Sequence, residues 1–206
     1  MNETINYITS FLSLDNAQLE TLAHEEMNRN DIQPSIGLEV GKLLGLLIRM
    51  TRAQRVLELG TCLGYSTIWL AQALQTTGGK LISVEYKESL CQETRRNIAI
   101  AGLADVVELI EGDARVIVEQ LDGPFDMIVQ DSDKSLYPLL LERCIALTRK
   151  FGIIVADDAL FKPRGIPASF SEPIHHYNQL VFADARLYST ILPMGDGVTI
   201  SVKLSD

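Results

Sequence analysis

Long apolar runs, paired cysteines and basic clusters are all scarce in this 206-residue chain, and each scarcity removes a class of protein. The longest apolar stretch near the start, LLGLLI at 43–48, is far shorter than the ~20 residues that span a bilayer, so insertion into a membrane is not expected. The three cysteines, Cys62, Cys91 and Cys144, form no CxxC pair, which argues against a zinc site and against a disulfide framework. Lys and Arg number 18 against 27 Asp and Glu, a net charge of -9 that gives no electrostatic footprint for nucleic acid. The first twenty residues, MNETINYITSFLSLDNAQLE, lack a basic segment followed by an apolar core and a small-residue cleavage site, so a cytoplasmic protein with a small-molecule partner is expected.

What is present is the patterning of an ordinary globular domain, 47% hydrophobic and 22% charged, of a length that suits one domain. Residues 2–12, 15–30 and 36–50 read as helices, the second with Asp15 as N-cap and the third introduced by Pro34 and Ser35. Short β-rich runs then recur: RVLELG (55–60), KLISVE (80–85), VVELIEG (106–112), FDMIVQD (125–131) and GIIVADD (152–158). Amphipathic stretches at 65–76, 87–101, 114–121 and 136–149 separate them, the rhythm of a doubly wound α/β sheet. Two further strand-like runs, 185–193 and 197–204, are joined by the turn sequence MGDG and read as an antiparallel hairpin.

Doubly wound sheets bind ligands at the carboxyl ends of their strands. Four of the five inner runs end there in acids: Glu58, Glu85, Asp131 and the pair Asp157 and Asp158. Singly, each is as readily a helix cap or a solvated loop residue, and together they make a candidate site. After the first strand the chain reads ExGxCxG, with Gly60 and Gly64 free to turn sharply, rather than the GxGxxG that cradles a pyrophosphate. Glu85, at the end of the next strand, is placed to take both hydroxyls of a ribose. The combination suggests an adenosine ligand without a diphosphate.

VLELGTCLGYSTIWLA, ISVEY, IEGDA, FDMIVQDSDKSLY, IIVADDAL and ILPMGDGVTISVK, in this order, resemble the cation-dependent O-methyltransferases, the group of catechol and caffeoyl-CoA O-methyltransferases, from about Ile32 to Lys203. The resemblance implies a Rossmann-like methyltransferase fold with a mostly parallel seven-stranded sheet, S-adenosylmethionine as donor, and a divalent cation, Mg²⁺ by preference with Ca²⁺ or Mn²⁺ as alternatives. It also implies a homodimer and a small catechol-like or other hydroxylated aromatic acceptor. By the same resemblance, Glu58, Gly60, Gly64 and Ser66 hold the methionine part of the donor. Glu85 binds its ribose, and Asp113 with Ala114 lie beside its adenine. Cys62 and Asp131 complete the donor side. Asp131, Asp157 and Asp158 form the metal site, and Lys134 takes the acceptor proton, with a pKa expected to be depressed beside the cation. Read without the resemblance, Lys134 is a solvated lysine in the first turn of a helix.

Three departures stand out. Asp158 replaces the family's asparagine, giving three carboxylates, so that the cation binds more tightly, or Asp158 is protonated, recruits Ca²⁺ or Mn²⁺, or points away. Cys62 stands where methyltransferase loops generally carry glycine, and reads as a small buried side chain. Residues 161–176, FKPRGIPASFSEPIHH, replace a short segment that shapes the acceptor pocket; His175 and His176 within it read as surface or substrate-loop residues rather than metal ligands. Tyr65 and Trp69, at helical spacing, read as core. The alternative function is a catalytically silent S-adenosylmethionine binder with an altered metal site. A nicotinamide-dependent oxidoreductase is disfavoured by the missing GxGxxG.

Overall fold

A computed structural model describes residues 3–205. Three helices open the chain: α1 (Glu3–Thr9), α2 (Ala17–Glu26) and α3 (Gly37–Thr51). The expected start of the first helix at residue 2 lies outside the described residues. α2 is shorter than its sequence suggested, and its cap is Asn16 rather than Asp15. Asn16 is extended (φ -146°) and its side-chain oxygen accepts from the Gln18 N–H, whereas Asp15 pairs with Lys42 at 2.7 Å.

Strands and helices then alternate as the patterning required: β1 (Arg55–Leu59), α4 (Tyr65–Thr77), β2 (Lys80–Glu85), α5 (Glu88–Ile100), β3 (Val107–Glu111), α6 (Ala114–Gln120), β4 (Phe125–Gln130), α7 (Leu136–Leu147) and β5 (Thr148–Ala156). Next come α8 (Ala168–Ala183), β6 (Leu187–Leu192) and β7 (Val198–Lys203). The sheet runs β3-β2-β1-β4-β5-β7-β6, parallel through β5, with β7 antiparallel to both its neighbours. The strand order reverses between β1 and β4, the point at which such sheets open a crevice.

Alternate strand residues feed two apolar layers, one on each face of the sheet. Val56, Val129 and Val155 pack with Ile68 and Leu70 on the α4 side. Leu57, Ile128 and Ile154 pack with Tyr137, Tyr177 and Val181 on the α7–α8 side. Tyr65 and Trp69 lie in the first layer, edge to face at 6.5 Å, as their spacing suggested. Trp69 lies so close over α3 that a Cβ on Gly41 would sit 2.5 Å from its ring.

α8 was not legible in the sequence, because Pro167 and Pro173 punctuate a stretch that otherwise reads as loop. It is held by a buried stripe of Ile174, Tyr177 and Val181, whose burial outweighs the one backbone hydrogen bond that Pro173 forgoes. β5 starts four residues earlier than its apolar run, across a register irregularity opposite Phe125 and Met127. No helix of the described residues is long and apolar enough to cross a membrane.

Candidate active site

The loop that follows β1 is shaped from beneath. Glu58, the last strand residue but one, has no exposed surface, and its carboxylate accepts hydrogen bonds from Ser66 Oγ at 2.5 Å, Thr67 Oγ1 at 2.6 Å and Ser83 Oγ at 2.5 Å. It therefore fastens the start of α4 to β1 and β2 from behind the loop, instead of reaching into the crevice. Burial lifts its carboxyl from the ordinary 4.5 to about 7, against the three hydroxyl donors that favour the ionised form. The folded chain thus binds this proton more tightly than the unfolded chain does. The stabilisation is complete below pH 4.5 and is lost as pH rises through about 7, an effect on the order of 3 kcal/mol. Glu58→Gln is expected to flatten that part of the stability profile when melting midpoints are followed from pH 4 to above neutrality; parallel profiles for the two proteins would refute the assignment.

Glu85 closes the loop from β2. One of its oxygens accepts the backbone N–H groups of Thr61 at 3.3 Å and Cys62 at 2.9 Å, and the other accepts that of Lys87 at 2.9 Å. Cys62 adopts φ 52°, and burial pushes its thiol up to about 12, so it stays a neutral, compact side chain. Its carbonyl accepts from Thr94 Oγ1 at 2.5 Å and that of Leu63 from Asn97 Nδ2 at 3.0 Å; Asn97 in turn accepts from Gln18 of α2 at 3.1 Å. Thr67, Ser83, Thr94 and Asn97 all support the loop and were not singled out from the sequence, where a lone hydroxyl or amide inside an apolar element carries no signal. Asp113 caps α6, accepting from the Arg115 N–H at 2.9 Å, and Ala114 is buried beside it. The Arg115 guanidinium holds the Asp113 carboxyl below its usual range.

Across the crevice, β4 and β5 deliver the acids. The Asp131 N–H continues the ladder to the Leu59 carbonyl at 2.9 Å, and the Asp157 N–H reaches that of Gln130 at 3.2 Å. Asp158 takes the left-handed conformation (φ 66°), which Asp and Asn tolerate better than bulkier residues. The following residues hang on the β6–β7 turn, with Ala159 N–H to Gly197 carbonyl at 2.8 Å and Leu160 N–H to Asp196 carbonyl at 2.9 Å. One carboxylate oxygen from each of Asp131, Asp157 and Asp158 lies within 4.8 Å of the others. Burial raises all three carboxyls, Asp158 to about 6, and the Asp157 carboxyl rises further through repulsion by Asp131 and Asp158. Asp157 is 8% exposed, and its Oδ1 is buried with no hydrogen-bond partner. A hard cation is what such a donor set lacks: oxygen ligands only, close together, one of them unsatisfied.

Lys134 projects into this cluster from the turn before α7. Its Nζ lies 3.0 Å from Asp131 Oδ1, 2.5 Å from Asp158 Oδ2 and 3.2 Å from the Tyr137 hydroxyl. The depressed pKa was expected beside a bound cation; the protein's own groups around Lys134 act in the opposite direction. Burial alone would lower it, but Tyr137, Asp131 and Asp158 outweigh burial and hold the ammonium above its ordinary value. Tyr137, one helical turn from Lys134, is a further site residue that sequence reasoning passed over; the i, i+3 spacing was the available signal. Glu26, at the end of α2, is another: it accepts from Ser35 Oγ at 2.9 Å and from the Ser35 N–H at 3.3 Å. Burial raises its carboxyl, with a smaller contribution from Asp131, which brings α2 into the electrostatic surroundings of the crevice. His175 and His176 lie on α8, half-buried and exposed respectively, and join no cluster of ligand atoms among the described residues.

Sheet order and reversal point together define a doubly wound, Rossmann-like α/β fold with its crevice at the switch point. The chain matches the model of the O-methyltransferase family over residues 9–204 and belongs to that family. It is 34% identical to the catechol O-methyltransferase of Niastella koreensis over 201 residues, 92% of this chain and 89% of the relative. It is 30% identical to caffeoyl-CoA O-methyltransferase 1 of Eucalyptus globulus, over 80% of this chain and 73% of the relative. Among solved structures, the O-methyltransferase TomG of Streptomyces achromogenes, in complex with SAM, superposes with a TM-score of 0.86 at 29% identity, covering 99% of this chain and 97% of its own. The O-methyltransferase of Bacillus cereus in complex with SAH gives 0.83 at 28% identity, covering 96% of each.

Proposed function

We propose that this methyltransferase transfers the methyl group of S-adenosylmethionine to an oxygen of a vicinal diphenol or related small hydroxylated aromatic, in a reaction that requires a divalent cation. The observation that carries the reading is the buried, unpartnered Asp157 Oδ1 inside a nest of three carboxylates. The donor is supported by the relatives solved with SAM and SAH, and the acceptor class by the relative named for catechol. We further take the chain to act as one domain, as a homodimer and in the cytoplasm.

Asp131, Asp157 and Asp158 would hold the cation, with Mg²⁺ favoured by the all-oxygen set and Ca²⁺ or Mn²⁺ as alternatives. Such an ion supplies charge that lowers the pKa of a bound hydroxyl and fixes two adjacent oxygens. The chain's own residues do the rest. Glu85 organises Thr61 and Cys62 and offers a carboxylate at the end of β2 for the ribose, while Gly60, Gly64 and Ser66 shape the pocket for the methionine part. Glu58 contributes by ordering that loop, and Asp113 with Ala114 border the adenine. Lys134, within 3.0 Å of Asp131, is placed to hold a proton at the acceptor oxygen, and Tyr137 fixes its direction. Positioning of this kind is the main task in an in-line displacement.

The second reading, a donor-binding protein without turnover, draws on the Lys134–Asp158 pair, which already engages one of the three carboxylates of the nest. Methyl transfer to caffeic acid, assayed after EDTA treatment and then with Mg²⁺, Mn²⁺ or Ca²⁺, separates the two. Product that depends on added metal is expected, and Asp158→Asn is expected to change which ion serves best. Donor binding with no product under any metal would favour the silent binder.

A further inference from the structure

The Lys134 ammonium lies against the acid cluster. It is 3.0 Å from Asp131 Oδ1 and 2.5 Å from Asp158 Oδ2, so it pairs with two of the three carboxylates of the cluster. The lysine side chain is only 13% exposed, so the contact is a buried ion pair rather than a surface one. It neutralises one of the three carboxylates and leaves Asp157 Oδ1 without a partner. A second seat lies alongside: the same Nζ is 3.2 Å from the Tyr137 hydroxyl, 5.2 Å from the Tyr137 ring centre and 6.0 Å from that of Phe161. An ammonium moved off the carboxylates therefore still has a hydroxyl and two aromatic faces to rest on.

We propose that Lys134 is the resident counter-cation of the Asp131–Asp157–Asp158 nest, and that a divalent ion enters by displacing its ammonium toward Tyr137 and Phe161. The inference rests on the reading of this nest as a metal site. It makes Lys134 a determinant of which ions bind. With the ammonium retained, a monovalent ion leaves the set with one uncompensated negative charge, whereas a divalent ion brings the three carboxylates plus the ammonium from two uncompensated negative charges to none and offers Asp157 a partner as well. The third carboxylate, Asp158, lets both positive groups stay: with an asparagine there, the same set would carry a surplus positive charge.

The experiment is Mn²⁺ binding to donor-free protein, followed by electron paramagnetic resonance of the free ion, in the wild type and in Lys134→Gln, Lys134→Met and Lys134→Arg. Removing the resident charge is expected to tighten Mn²⁺ binding by about tenfold or more in the Gln and Met variants, while the charge-retaining Arg variant stays near the wild type. Equal or weaker binding in the Gln and Met variants would overturn the proposal and leave the metal reading standing. No binding by any of the four proteins would remove the metal reading itself, and the proposal with it. A measurement independent of any variant's folding uses ¹⁵N-lysine NMR of the wild type. The Lys134 Nζ resonance is expected to move on adding Mg²⁺ and not on adding potassium; a resonance that ignores Mg²⁺ would equally overturn the proposal.

Discussion

Asp157→Asn is expected to make the metal-free protein more stable and the enzyme nearly inactive. The wild-type carboxylate is buried, faces Asp131 and Asp158, and has one oxygen without a partner. An uncompensated buried charge of this kind is destabilising, and the amide keeps the shape while removing the charge. In EDTA the variant should therefore melt above the wild type, by about 1 kcal/mol or more in unfolding free energy. Added Mg²⁺ should then raise the wild-type midpoint but leave the variant's almost unmoved, and methyl transfer should fall on the order of a hundredfold or more, since even outer partners of metal ligands cost 10–100-fold. A variant that melts lower in EDTA would mean that Asp157 is satisfied in some other way, and full activity would mean that it holds no cation.

Gly60→Ala should damage fold and site together. Gly60 has φ +95°, and an added Cβ would meet the Asp131 carbonyl oxygen at 2.2 Å and its carbon at 2.6 Å. Both obstacles are backbone, so no side chain can swing aside, and the loops after β1 and β4 must separate. A loss of roughly 2–4 kcal/mol is expected from strain and overpacking combined, read as a shift of the urea midpoint. Gly78→Ala is the internal comparison: Gly78 has a similar φ of +75° but nothing within 4 Å of a Cβ, so about 1 kcal/mol is expected there. Equal losses at the two positions would show that backbone conformation alone, and not the approach of Asp131, constrains Gly60.

Much of this was legible in the sequence because hydrophobic periodicity and strand-end acids obey simple rules. The five parallel strands and the closing hairpin fall where β-rich runs and MGDG placed them, and Asp131, Asp157 and Asp158 converge because parallel strands end on one side of a sheet. The rest failed for identifiable reasons. α8 contains Pro173 and follows Pro167, and local breaker signals hid a helix held by tertiary burial. Glu58 reads as a strand-end acid open to ligand, yet Ser66, Thr67 and Ser83 from α4 and β2 surround it, contacts that no local pattern announces. The ion pair of Lys134 with Asp158 joins residues twenty-four positions apart that only the fold brings together.

The backbone at Asp158 is left-handed. A position that demands φ near +66° narrows the comfortable residues to glycine, asparagine and aspartate, so the scaffold tolerates little variation in shape there but leaves charge free. Exchanging an amide nitrogen for an oxygen alters the electrostatics of the whole crevice without asking the β5 terminus to move. Within a single rigid architecture, that corner is a dial through which descendants of one ancestor could be retuned toward different ions and differently charged acceptors while their folding remained untouched.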